Sequence, residues 1–153
     1  MPATSQDAQI ILQLYDLRRE AVMRKARSYI GGEFWPTKAE DVLNLLQNFG
    51  AEENAYLRQV LGYWEMATAL ANHGSVNLAL FADCANEAIF VFAKFHPFLA
   101  QIREAHSPEF LRQTEQYIES SATATKQLER MLPRIAEWTK MNRSKKTKEA
   151  AAD

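Results

Sequence analysis

Between Leu78 and Ile102 the apolar residues Leu78, Phe81, Ala85, Ala88, Phe92, Phe95, Leu99 and Ile102 recur at intervals of 3, 4, 3, 4, 3, 4 and 3. Only an α-helix brings that spacing onto one face, because a strand alternates every second residue. The pattern outweighs Ile89-Phe90-Val91-Phe92, whose β-branched and aromatic composition taken alone favours a strand. It passes through Pro97 in phase. The expectation is one helix from about 76 to 105, bent at Pro97 where the bond to the Ala93 carbonyl is lost.

The same spacing organises the rest of the chain. Ser5 can cap a first helix that runs to about Ile30, with Ile10, Leu14, Leu17 and Ala21 inward and Gly31-Gly32 and Pro36 as its stop. Thr37 and Glu40 form a capping-box pattern ahead of a short helix, about 38–49, that turns Val42, Leu46 and Phe49 inward and ends at Gly50. A third helix spans about 51–73 on a stripe of Leu57, Val60, Trp64, Ala67 and Ala71, flanked by Tyr56, Tyr63 and Leu70. Gly74 is suited to its left-handed stop. Ser75 can cap the fourth helix. Ser107-Pro108 can open the last, whose seam is Leu111, Thr114, Ile118, Ser121, Thr125, Leu128, Leu132, Ile135 and Thr139, with Phe110, Tyr117, Ala124, Met131 and Trp138 beside it.

That last helix would be about 50 Å long at 1.5 Å per residue. A domain of this size has a radius of gyration near 15 Å, so a bend at Pro133 or a loosening around residues 120–125 is expected. The fold class is therefore all-α: four long helices in a bundle plus one short helix, with bends near Pro97 and Pro133. Residues 1–4 read as a flexible tail, 5–141 as a single domain, and 142–153 as a basic, disordered tail.

Composition supports this and excludes other classes. Hydrophobic residues make up 47% of the chain, which rules out wholesale disorder. Five Gly and five Pro are too few for a turn-dense sandwich or barrel. One Cys excludes a disulfide framework. The stretch 76–102 carries Asp83, Asn86, Glu87, Lys94 and His96, so no membrane span is expected, and the chain reads as cytoplasmic.

Helical bundles invite a di-iron reading, which needs Glu-x-x-His pairs. The residues three before His73, His96 and His106 are Leu70, Ala93 and Arg103, so that reading fails. The three histidines fit helix ends or surface, and Cys84, next to the seam residue Ala85, fits a buried, inert thiol. No metal, cofactor or catalytic acid–base pair can be named. Arg18, Arg19, Arg24, Lys25 and Arg27 surround the first helix when projected at 100° per residue, which describes a solvated face with Glu20–Arg24 and Asp16–Arg19 pairs.

Two candidate groups remain. Trp64, Glu65, Phe92, Phe95 and Arg103 could line a ligand pocket, with Phe90 or Phe98, or take part in an interface. Glu65, Glu87 and Arg103 could supply a bridge between helices. Lys140, Arg143, Lys145, Lys146 and Lys148, five basic residues against two acidic ones in 140–153, are candidate contacts to an acidic partner, nucleic acid or a lipid surface.

Three stretches resemble a family of uncharacterised bacterial helical proteins, a domain of unknown function of about this length. They are Leu14-Tyr15-Asp16-Leu17-Arg18-Arg19-Glu20 with Arg24-Lys25-Ala26-Arg27, Tyr63-Trp64-Glu65-Met66-Ala67 with His73-Gly74-Ser75-Val76, and the apolar fourth helix ending in Ile102-Arg103. The resemblance covers about residues 10–120 and implies an all-helical fold without an activity. Some members of that group carry an N-terminal membrane helix, and none is expected here.

The leading functional reading is a non-enzymatic interaction or scaffold module that takes a protein partner or self-associates. It draws on the long seams and on Thr114, Ser121 and Thr125, which could admit a partner helix. A ligand-binding or sensor bundle with an aromatic pocket near Trp64 is the alternative, and nucleic-acid binding through the basic tail is a weaker one.

Overall fold

A computed structural model describes residues 1–153. It is all-helical. Its elements are α1 (Ser5–Leu17), α2 (Ala21–Ser28), a π-helical turn (Tyr29–Glu33), α3 (Ala39–Gln47) and α4 (Glu52–Asn72). Then come α5 (Leu78–Cys84), α6 (Asn86–Phe95), a 3-10 turn (His96–Phe98), α7 (Leu99–Ala105), α8 (Arg112–Ser120) and α9 (Ala122–Ala152). α4 packs on α2, α3 and α8, while α6 packs on α8 and α9.

The apolar seams are buried as their spacing requires, but the helices that carry them are broken. Along 78–102, Phe81, Ala85, Ala88, Phe92, Phe95, Leu99 and Ile102 are all buried. The backbone nevertheless leaves the helix at Ala85 (φ −105°, ψ 29°) and tightens into the 3-10 turn at Pro97. Burial follows the phase of the pattern. Continuity depends on local backbone chemistry, which the pattern does not report.

The first helix breaks in the same way. α1 ends at Leu17, and Glu20 opens α2 by accepting from the Met23 amide at 2.9 Å. Leu17 is 56% exposed, and Met23, Ala26 and Ile30 fill the core instead. Thr4 rather than Ser5 caps α1, in a reciprocal box with Asp7. The other Asp7 oxygen accepts from the Asn77 amide at 2.7 Å and so fastens α1 to the connection after α4. The Thr4 hydrogen bonds, with Asn77, hold the Asp7 carboxyl below its ordinary range.

Other boundaries move for similar reasons. α3 is capped by Asp41, which accepts from the Thr37 and Lys38 amides, and Glu40 has no part in it. α3 stops at Gln47, leaving Phe49 73% exposed instead of inward. Its C-terminal carbonyls, Leu45 and Leu46, are taken by the buried Asn54 amide at 2.8 and 3.1 Å. Asn77, not Ser75, caps α5. Gly74 ends α4 with φ +73°, the left-handed stop that the sequence suggests.

The last two helices are separate. Residues 107–111 form turns, and α8 begins only after Leu111, which is left-handed at φ 55° and buried. Ser121 then ends α8 and caps α9 through the Ala124 amide at 3.2 Å. α9 continues through Pro133 without a break and onward to Ala152. The basic segment 142–152, which suggested a disordered tail, is the end of this helix; its Lys, Glu and Ala residues are strong helix formers. At 1.5 Å per residue α9 is about 46 Å long, and its exposed last turns still lie beside the segment after α2, where Lys146 reaches the Glu33 carbonyl.

Candidate functional site

Three buried or half-buried polar groups stand out against this apolar interior. The first surrounds Glu87, in the first turn of α6. Arg27 reaches across from α2, its Nε donating to both carboxylate oxygens at 2.8 and 3.0 Å and its Nη2 to one of them. Arg18, from the turn after α1, brings Nη1 to 3.5 Å of the same carboxylate and lays its guanidinium over the Trp64 ring at 5.4 Å. Trp64 Nε1 completes the set, 3.4 Å from Glu87 Oε1. The Glu87 hydrogen bond raises Arg27 above its ordinary value, against the cost of burial. Beside it, the Tyr63 hydroxyl donates to the Leu14 carbonyl at 2.6 Å, and burial pushes its pKa up to about 12.

The second group holds the start of α8. Glu65 on α4 accepts from the Gln113 and Thr114 amides at 3.0 and 2.9 Å and from the Thr114 hydroxyl at 2.6 Å. It supplies from another helix the side-chain cap that α8, opened by Leu111, lacks at its own N-terminus. Arg103 on α7 donates through Nε to the Phe110 carbonyl at 2.9 Å and through Nη1 to Glu115 at 3.1 Å. The left-handed Leu111 therefore lies between two anchored peptides, which holds a conformation that a branched side chain otherwise disfavours. Glu65 and Arg103 do not pair with each other. They fasten opposite sides of one turn.

The third group is Lys94, in the sequence only a charge interrupting an apolar stretch. It is 2% exposed. Its Nζ donates to the Ile30 carbonyl in the π-helical turn and stands 3.7 Å from the centre of the Trp35 ring, with Phe90 at 5.4 Å. No salt bridge reaches it, and burial alone pulls its pKa down to about 7. The π-turn alters the carbonyl register after α2, and Ile30 offers its oxygen to the amine. A lysine in the middle of Val91-Phe92-Ala93-Lys94-Phe95, inside a helix apolar all round, was the available signal.

The candidate residues are thus distributed among different sites. Trp64 belongs to the Glu87 group. Glu65 and Arg103 serve α8. Phe95 is buried against Phe34 and Phe110 at 6.3 and 6.0 Å, and Phe92 lies beside His96 at 5.7 Å. Phe90 meets Trp35 and Trp138 instead. No single aromatic pocket results, and the space enclosed near Trp64, between α1, α4 and α5, is about 40 Å³. That is room for a water molecule or two.

The hydroxyls proposed to receive a partner helix are used internally. Thr114 faces Glu65, Ser121 caps α9, and Thr125 donates to the Ile118 carbonyl at 2.8 Å. Cys84 is exposed, against the expectation of a buried thiol, because α5 ends there and the chain turns at Ala85. The Glu20–Arg24 and Asp16–Arg19 pairs do not form ion pairs; Arg18 and Arg27 instead converge on Glu87, since the break between α1 and α2 turns Arg27 to a new direction relative to α1. Lys140, Arg143, Lys145, Lys146 and Lys148 are exposed around α9, and Lys146 bonds the Glu33 carbonyl at 3.3 Å. No three His, Cys, Asp or Glu side chains come together as a metal site, and no helix is long and apolar enough to cross a membrane.

Residues 3–121 match the model of DUF4760, a domain of unknown function, and the chain belongs to that family. The match contains all three polar groups and stops where α9 begins. No curated protein and no solved structure matches the chain.

Proposed function

For this member of a helical family without an assigned activity, we propose a non-enzymatic protein-interaction module, with α1 and its turn into α2 as the docking face. One observation carries the reading. Leu12, Tyr15, Leu17 and Val22 are 66, 51, 56 and 45% exposed within eleven consecutive residues, a concentration of large apolar side chains found nowhere else on the surface. Ile10, Ile11 and Leu14 hold the helix to the core, so Leu12 and Tyr15, three residues apart, share the face directed outward.

Apolar side chains grouped on a surface in this way mark association sites more often than chance exposure does. The same face of a second copy is the simplest occupant, since isologous pairs are the commonest assemblies. The reading is tested by sedimentation of the full chain over a range of concentrations. A reversible dimer is expected, and a Leu12→Ser/Leu17→Ser variant is expected to run as a monomer with unchanged helical circular dichroism. A wild-type chain that stays monomeric throughout, or a variant that dimerises equally well, would remove α1 as the self-association face.

A further inference from the structure

A cleft of about 370 Å³ opens between α2 and α6, away from the outer face of α1. Its size falls at the lower end of the range for small-molecule sites. Ile30, Val60, Phe90 and Val91 give it an apolar floor, and Arg24, Arg27, Ser28 and Glu87 give it a polar wall. The charges on that wall do not balance. Arg18 and Arg27 already share the Glu87 carboxylate, so the cluster carries one more cation than anion before Arg24 is added.

Arg24 makes no hydrogen bond or ion pair through its guanidinium, and the Ser28 hydroxyl has no partner either. Glu20, one turn before Arg24, is engaged with the Met23 amide. Lys94, bonded to the Ile30 carbonyl and 5.4 Å from the centre of the Phe90 ring, adjoins the floor, so the buried polar group next to it is an amine and not a carboxylate. An apolar floor below a guanidinium with no hydrogen-bond partner of its own suits one kind of ligand: an anionic head on an apolar body.

We propose that this cleft binds a small amphipathic monoanion, a carboxylate on a short aliphatic or aromatic body. Arg24 and Ser28 take the carboxylate, and Ile30, Val60 and Phe90 take the apolar part. Glu87 keeps Arg27 in place and excludes a second negative charge. The site is independent of the docking face on α1, and either can fail without the other.

Titration of the full, isotope-labelled chain with octanoate, followed by amide NMR shifts and calorimetry, tests this. Octanoate is expected to move the Ser28, Gly31 and Phe90 amides saturably, while 1-octanol and inorganic phosphate leave them unmoved. Arg24 is exposed, so Arg24→Ala should keep the fold and weaken octanoate about tenfold, the worth of one charge-assisted hydrogen bond. Arg19→Ala, outside the cleft, should not. Equal binding of 1-octanol would reduce the site to an apolar groove, and equal binding of phosphate to a simple anion site; either overturns the proposal. So would octanoate affinity unchanged by Arg24→Ala, or the absence of any saturable shift.

Discussion

Glu87 and Lys94 lie seven residues apart on α6, close to two full turns, and the fold treats them in opposite ways. Glu87 stands near the rim and receives two guanidiniums and an indole N–H. Lys94 stands in the interior and receives a carbonyl and an aromatic face but no counter-charge. The reason lies in what each end of α6 meets. The N-terminal turn of α6 faces α1 and α2, whose termini bring arginines. Its C-terminal half is enclosed by α8, α9 and the π-turn, which bring apolar and aromatic residues. A paired charge can tie elements together. An unpaired one is tolerated by giving up its proton readily.

The largest expected effect comes from breaking the paired end. Glu87→Ala leaves Arg18 and Arg27 facing each other with no carboxylate, and because the site is partly open the cost should be about 2–3 kcal/mol, below that of a fully buried pair. Urea unfolding would show a lower midpoint at an unchanged slope. A double-mutant cycle with Arg27→Ala should return a coupling of about 1 kcal/mol or more. Additivity there would mean that the contact seen between these side chains contributes nothing.

The unpaired end should respond in the opposite direction. Lys94→Met keeps the length of the side chain and removes the buried charge, and is expected to gain about 1–2 kcal/mol at pH 6. The pH dependence follows from the lowered pKa. Lys94 titrates near 7 in the fold and near 10.4 in the unfolded chain, so between those values the unfolded state binds more protons. Wild-type stability should therefore rise from about pH 7 towards pH 10 and be independent of this group's titration below pH 7, where its full cost is present. The advantage of Lys94→Met should shrink over the same window. A variant less stable than wild type at pH 6 would show that the ring and carbonyl outweigh the loss of solvation.

The smallest effect tests the ring itself. Trp35→Leu removes the cation–π contact and should cost about 1 kcal/mol, with Lys94 moving still further below 7 because only its charged form benefits from the aromatic face. Unfolding midpoints across pH would report both. A Lys94 that titrates higher in the variant would show that Trp35 acts as a desolvating lid rather than as a partner for the ammonium.

The same contrast explains what could be read from the residues. The α4 stripe of Leu57, Val60, Trp64, Ala67 and Ala71 is buried throughout, and so is the 81–102 seam, because the side-chain period is a property of the sequence itself. Leu17 and Phe49 failed the same test because each lies just where its helix stops. The stops at Leu17 and Ala85 are made by an ordinary Glu20 cap and by a single departure in backbone angles, neither of which leaves a Gly or Pro to read.

The candidate polar residues divided in the same manner. Trp64, Glu65 and Arg103 were visible as polar or amphipathic groups beside apolar stripes, but their partners lie 23, 48 and 49, and 7 and 12 residues away. Such pairings depend on how helices cross, and no local pattern encodes that. The isolated Lys94 was legible as a position and illegible as an environment.

Sequence alone determined that this protein is all-helical, which faces of most of its helices are buried, and that its basic residues concentrate at the C-terminal end. Those properties follow from spacing and composition, which act within a few turns. Tertiary structure decided where the helices break, that Glu65 caps α8 from a distant helix, that Arg18 and Arg27 share Glu87, and that Lys94 has no counter-ion. Each of those depends on which element arrives opposite a given side chain, and desolvation then sets whether its charge is paired, capped or released.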